Sequence, residues 1–107
     1  MKLKQWTVFL EEAGARIDVW FRVSKGKVTQ FSVNLSYETE DSSWDVYRCD
    51  SAHGYIHCHK FWISDEHRER RPFAGKSLAQ ALTETYEDLK VNWRDYLERF
   101  KKAKKLK

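Results

Sequence analysis

Hydrophobic and polar positions alternate along the first half of the chain and recur at helical spacing along its last quarter. Residues 15–23 set Ala15, Ile17, Val19, Phe21 and Val23 against Arg16, Asp18, Trp20 and Arg22. That period of two marks a strand with one buried face. Residues 28–37 repeat the pattern, with Thr29, Phe31, Val33, Leu35 and Tyr37 on one face. Lys25-Gly26-Lys27 supplies a turn between them, and Gly26 is free to take positive φ. A three-residue loop there sets Phe21 opposite Phe31, Val19 opposite Val33 and Ile17 opposite Leu35, the register that gathers one apolar face. Residues 4–11 read as a preceding strand, with Trp6, Val8 and Leu10 on one side. After the acidic loop Glu38 to Ser43, residues 44–49 and 55–63 read as two further strands, made an antiparallel pair by the short link Asp50 to Gly54. Segment 64–76 is densely charged and holds Pro72 and Gly75, so a surface loop is expected.

The period then changes. Leu78, Ala81, Leu82, Tyr86, Leu89, Trp93, Tyr96, Leu97 and Phe100 follow at steps of three and four, forming one apolar stripe. Ser77 and Gln80 make an S-x-x-Q capping box at its start. The expected architecture is α+β: an antiparallel sheet of about five strands with one long C-terminal helix across one face. The expected organisation is a single domain over 1–107: strands over 1–63, the charged loop 64–76, an amphipathic helix 77–104 and a Lys-rich tail 101–107.

Composition refines this. A chain of 107 residues suits one core, and five Trp, five Tyr and six Phe can fill it from few positions. The formal charge of +4 is a tail effect, because the 15 basic and 16 acidic side chains before Lys101 nearly cancel. A Lys-rich tail can contact phosphates, but the plainer expectation is a solvated, frayed helix end. Cys49 and Cys58 lie on adjacent expected strands, so a bond is geometrically possible; with no secretory signal, reduced thiols in a cytoplasmic protein are expected. No apolar run approaches the length of a membrane span.

Chemically useful groups concentrate in one place, Tyr47-Arg48-Cys49-Asp50-Ser51-Ala52-His53-Gly54-Tyr55-Ile56-His57-Cys58-His59. Imidazole suits proton transfer and metal ligation near neutral pH. On a strand, His57 and His59 share a face with Tyr55 and Phe61, whereas Ile56, Cys58 and Trp62 face the helix. One reading is acid–base cleavage of RNA without a metal, with His57, His59, Asp50 and His53 as catalytic candidates. Arg48, Tyr55 and Lys60 would then contact phosphate or base, Lys60 being the poorer candidate because it alternates to the opposite face. A second is a Zn or Fe site on His57, His59, Asp50 and His53; two ligands at H-x-H spacing do not define one. A third is structural, the hairpin bonding its own turn through Asp50. His67, in the charged loop, reads as an ordinary surface residue.

The run Tyr47 to Gly54, followed by His57-x-His59, resembles the TumE-like toxin family of prokaryotic toxin–antitoxin systems, with its R-Y-D-N-x-x-G-x-x-x-H-x-H pattern. It also resembles uncharacterised families with a D-x-A-H-G segment. Pro72-Phe73-Ala74-Gly75-Lys76-Ser77-Leu78 matches the family's approach into a C-terminal helix, and the likeness in layout covers about residues 15–95. Cys49 replaces an aromatic, Ser51 replaces Asn, and the Gly54-to-His57 gap is one residue short. The resemblance implies a cytoplasmic toxin neutralised by an antitoxin protein, with RNA as target and Arg48, Asp50, His57 and His59 as the functional positions. A homodimer, or an antitoxin interface on exposed aromatics such as Trp20, is a further expectation, as is a non-enzymatic binding protein.

Overall fold

The computed structural model describes residues 2–52, 56–63, 69–70 and 76–106. Six strands form one antiparallel sheet in sequence order: β1 (Lys2–Phe9), β2 (Ala15–Ser24), β3 (Lys27–Glu38), β4 (Ser43–Asp50), β5 (His57–Lys60) and β6 (Glu69–Arg70). The first five are those the alternation predicts. The two-residue β6 falls inside the segment expected to be loop and pairs His57 with Arg70. Helix α1 (Leu78–Lys104) crosses one face of the sheet, packing chiefly on β3 and then on β4 and β2.

The register of β2 on β3 is the one that collects the apolar positions: Ile17 opposite Leu35, Val19 opposite Val33, Phe21 opposite Phe31. Its turn is tighter than the expected three-residue loop. Lys25 and Gly26 both take positive φ, at 52° and 76°, as a two-residue hairpin turn of matching twist requires. A bulge between Arg22 and Val23 then restores the pairing. Ile17, Val33, Leu35, Tyr47 and Cys49 lie at 0 % exposure beneath Leu89, Leu97 and Phe100 of the helix.

Ser77 accepts from the Gln80 amide at 3.1 Å, and the Gln80 side chain accepts from the Ser77 amide at 2.8 Å, completing the predicted capping box. The far end differs from expectation. The basic tail is not a frayed end: Lys105 takes left-handed φ of 57°, Leu106 donates back to the Lys101 carbonyl at 2.8 Å, and Leu106 packs on the core. Lys101 pairs with Glu12 and lies 4.8 Å from the Tyr37 ring centre. Burial alone would lower the Lys101 pKa; the hydrogen bond and charge of Glu12 outweigh it, and the net direction is upward.

The expectation of reduced cysteines is also corrected. Cys49 and Cys58 are direct partners across β4 and β5, with Cα atoms 4.1 Å apart, and they form a disulfide. The reason is register: hairpin pairing places both thiols opposite one another on the face under the helix, at 0 % and 1 % exposure.

Candidate functional site

Alternation sends every second side chain of β2 to β5 to the face the helix does not cover. Strand pairing arranges them in rows. One row runs Trp20, Ser32, Asp50, His57; the next runs Asp18, Asn34, Arg48, His59. The same face therefore carries four of the positions singled out in the sequence: Arg48, Asp50, His57 and His59. Lys60 is opposite Tyr47 and belongs to the other face, as its alternation predicts. His53, Tyr55 and His67 lie outside the described residues.

Asp45 joins this group through a break in the alternation. Leu35 pairs with Tyr47 but Ser36 pairs with Asp45, so Val46 is an extra residue in β4. Without that bulge, residues 45 and 48 would point to opposite faces. With it, Val46 and Tyr47 are both buried in the core, and Asp45 comes round beside Arg48. Arg48 is then held between two carboxylates, its Nη1 3.4 Å from Asp45 Oδ2 and its Nε 3.4 Å from Asp50 Oδ2. Asn34, the cross-strand partner of Arg48, donates from Nδ2 to Asp45 Oδ1 at 2.8 Å. Neither Asp45 nor Asn34 carries a sequence signal for this role, since strict alternation places Asp45 on the wrong face.

The histidines differ in setting. His59 is 5 % exposed and stacks on Phe61 with ring centres 3.9 Å apart, and Arg48 lies 5.4 Å from the Phe61 ring centre. The three side chains form a layer of guanidinium, phenyl and imidazole. His57 is half-buried and directly opposite Asp50. Asp50 also accepts the Ala52 amide at 3.1 Å, the turn-closing bond the structural reading anticipates. Among the described residues, no three of His, Cys, Asp and Glu gather closely enough to hold a metal ion. The cysteines are committed to each other on the helix side.

The rest of this face is polar as well. Arg16 bonds Asp18 at 3.0 Å and Glu38 at 3.2 Å, and Thr7 donates to Asp18 at 2.6 Å. The hydrogen bond and charge of Asp18 raise the Arg16 pKa further. Trp20 remains half-exposed, with Arg22 5.8 Å from its ring centre. The face therefore offers an aromatic surface, a carboxylate-held arginine and one accessible imidazole in register with a carboxylate. No helix among the described residues is long and apolar enough to cross a membrane.

No curated protein and no solved structure matches the chain. One family model does: a domain of unknown function, DUF7718, matches residues 1–106, and the chain belongs to that family.

Proposed function

We propose that the helix-free face of β2 to β5 binds single-stranded RNA and cleaves it by acid–base chemistry centred on His57. The observation that carries this reading is the row Trp20, Ser32, Asp50, His57, which sets a half-exposed aromatic ring and a half-exposed imidazole on one face of the sheet. Three strand spacings separate the ends of that row, about 14 Å, a span of two to three nucleotides. An aromatic ring on an open sheet is a common platform for an unstacked base. His57 takes the proton of a ribose 2′-hydroxyl as its oxygen attacks phosphorus. The bond from phosphorus to the 5′-oxygen breaks, and the leaving oxygen receives a proton from the imidazolium. The products are a 2′,3′-cyclic phosphate and a free 5′-hydroxyl. Asp50 orients the His57 ring. Arg48, fixed by Asp45 and Asp50, faces the phosphate charge. His59, buried against Phe61, is a positioning residue for Arg48. The resemblance to TumE-like toxins supports RNA as the target class and an antitoxin as partner.

A second reading, RNA binding without cleavage, is favoured by the near-complete burial of His59 and by the two carboxylates that neutralise Arg48. Incubating the protein with a mixed-sequence single-stranded RNA in the presence of a chelator separates the two. Cyclic-phosphate ends that vanish with His57→Ala support cleavage. Retention of RNA that is lost with Trp20→Ala, without cleavage, supports the binding module. Neither cleavage nor retention rejects both. Induced expression in a bacterial host, wild type against His57→Ala/His59→Ala at equal level, tests the toxin role separately: arrest by the wild type alone is expected, and equal growth refutes toxicity in that host.

A further inference from the structure

Among the described residues, three of the four exposed large apolar side chains cluster at one edge, and the fourth, Val91, lies on the helix. Leu3 is 54 % exposed, Trp6 40 % and Phe9 81 %, and all three belong to β1. This strand begins the sheet, so among the described strands it pairs on one side only, with β2. Helix α1 packs chiefly on β3, β4 and β2, and Tyr86 meets Trp6 of β1 edge-on, with ring centres 5.6 Å apart. We propose that the β1 edge is a docking surface for a second copy of this chain, joined antiparallel so that two sheets become one.

The register follows from the strand itself. The Leu10 amide donates to the Ala15 carbonyl, which makes Leu10 and Ala15 a hydrogen-bonded pair in the β1–β2 ladder. Hydrogen-bonded and non-bonded pairs alternate in an antiparallel ladder. Lys2, Lys4, Trp6 and Val8 therefore direct their backbone groups to β2, whereas Leu3, Gln5, Thr7 and Phe9 direct theirs to the free edge. A second copy must match those four outward residues with its own four. Centring the two-fold axis on Trp6 does this: Leu3 meets the partner's Phe9, Gln5 meets the partner's Thr7, and each pair exchanges two backbone bonds. The same register places the two most exposed apolar side chains of β1, Phe9 and Leu3, against each other on the helix-free face. On the other face it sets the two Trp6 rings side by side at a non-bonded pair, where side chains approach most closely.

Charge selects the antiparallel direction. Lys2 and Lys4 lie at one end of β1, and Glu11, paired with Arg94 yet with its side chain 84 % exposed, lies just beyond the other. Antiparallel docking brings the basic end of one copy to the acidic end of its partner, and parallel docking would stack lysine on lysine. The contact is at the small end of specific interfaces, so an affinity of order micromolar is expected. The surface lies at the opposite end of the sheet from β5, and the inference does not depend on the proposed RNA chemistry.

Sedimentation equilibrium of the full chain over about 1–500 μM, a range that brackets micromolar affinity, reads this directly. The wild type is expected to reach twice the monomer mass. Phe9→Glu and Leu3→Lys alone should each weaken association at least tenfold, with unchanged circular dichroism because both side chains are exposed. The register is tested by mixing the two variants, since one cross-strand position then becomes an ion pair and the other stays native. The mixture should associate more tightly than either variant alone. Gln5→Pro, which removes an outward N–H and is tolerated at an edge, should leave a folded monomer. A wild type that stays monomeric throughout, or a dimer unaffected by these substitutions, overturns the proposal.

Discussion

Reducing the Cys49–Cys58 bond should destabilise the fold by an amount its loop length sets. The bond closes a loop across a sequence separation of nine. The chain-entropy relation for a loop of about 10 residues gives roughly 9 cal/mol/K, or about 2.7 kcal/mol at 25 °C. With a urea m-value of about 1.5 kcal/mol/M for a domain of this size, the unfolding midpoint should fall by about 1.8 M on reduction. Tryptophan fluorescence in a urea titration, with and without a phosphine reductant, measures this. A Cys49→Ala/Cys58→Ala variant should respond to urea but not to reductant. The loss should be felt first in β5, because its four residues are held to the rest of the sheet through β4. Amide exchange at His57 to Lys60 should therefore accelerate on reduction more than exchange at Val33 or Leu35. Coincident midpoints with and without reductant, or two free thiols titrated in the unreduced, denatured protein, would refute the reasoning.

Other expected outcomes follow from single residues. Gly14→Ala should cost at least about 2 kcal/mol in urea unfolding: Gly14 sits at φ 86°, and an added Cβ would lie 2.1 Å from the Glu38 carbonyl oxygen, a backbone atom with no room to move aside. His59→Ala should lower stability by about 2 kcal/mol through the space left beside Phe61, whereas His57→Ala should leave the melting temperature within about 2 °C, as for a surface change. Equal losses for both would contradict the different settings of the two rings. The raised Lys101 pKa means that its pairing stabilises the fold fully below the ordinary lysine value and fades as pH rises through the higher folded value. The melting-temperature gap between wild type and Lys101→Met should accordingly be open at pH 8 and narrow as pH climbs past the ordinary lysine value of about 10.4. A gap constant across that range would assign the Lys101 effect to packing on Tyr37 alone.

Much of the site was legible because a strand has a strict period. His57 and His59 are two apart and therefore share a face, and the same rule sends Lys60 to the other side. The pairing of Asp50 with His57 was not legible, since the expected link Asp50 to Gly54 would set Cys49 opposite Tyr55 rather than Cys58. Asp45 was not legible, since one inserted residue, Val46, reverses the parity that alternation relies on. Nor was the contrast between the two histidines, which depends on Phe61 covering one ring and not the other.

The sequence by itself determined the order of the first five strands and the helix, their apolar faces and both halves of the N-terminal capping box, because these depend on local periodicity and on hydrogen bonds between residues three or four apart. The tertiary structure alone decided which cysteine sulfurs meet, that the basic tail folds back on its own helix, and that Arg48 stands between two carboxylates. The disulfide follows from the β4–β5 register, the Arg48 cluster from the bulge at Val46 and the tail from Leu106 docking on the core, and only the packing of the sheet against itself and the helix specifies these.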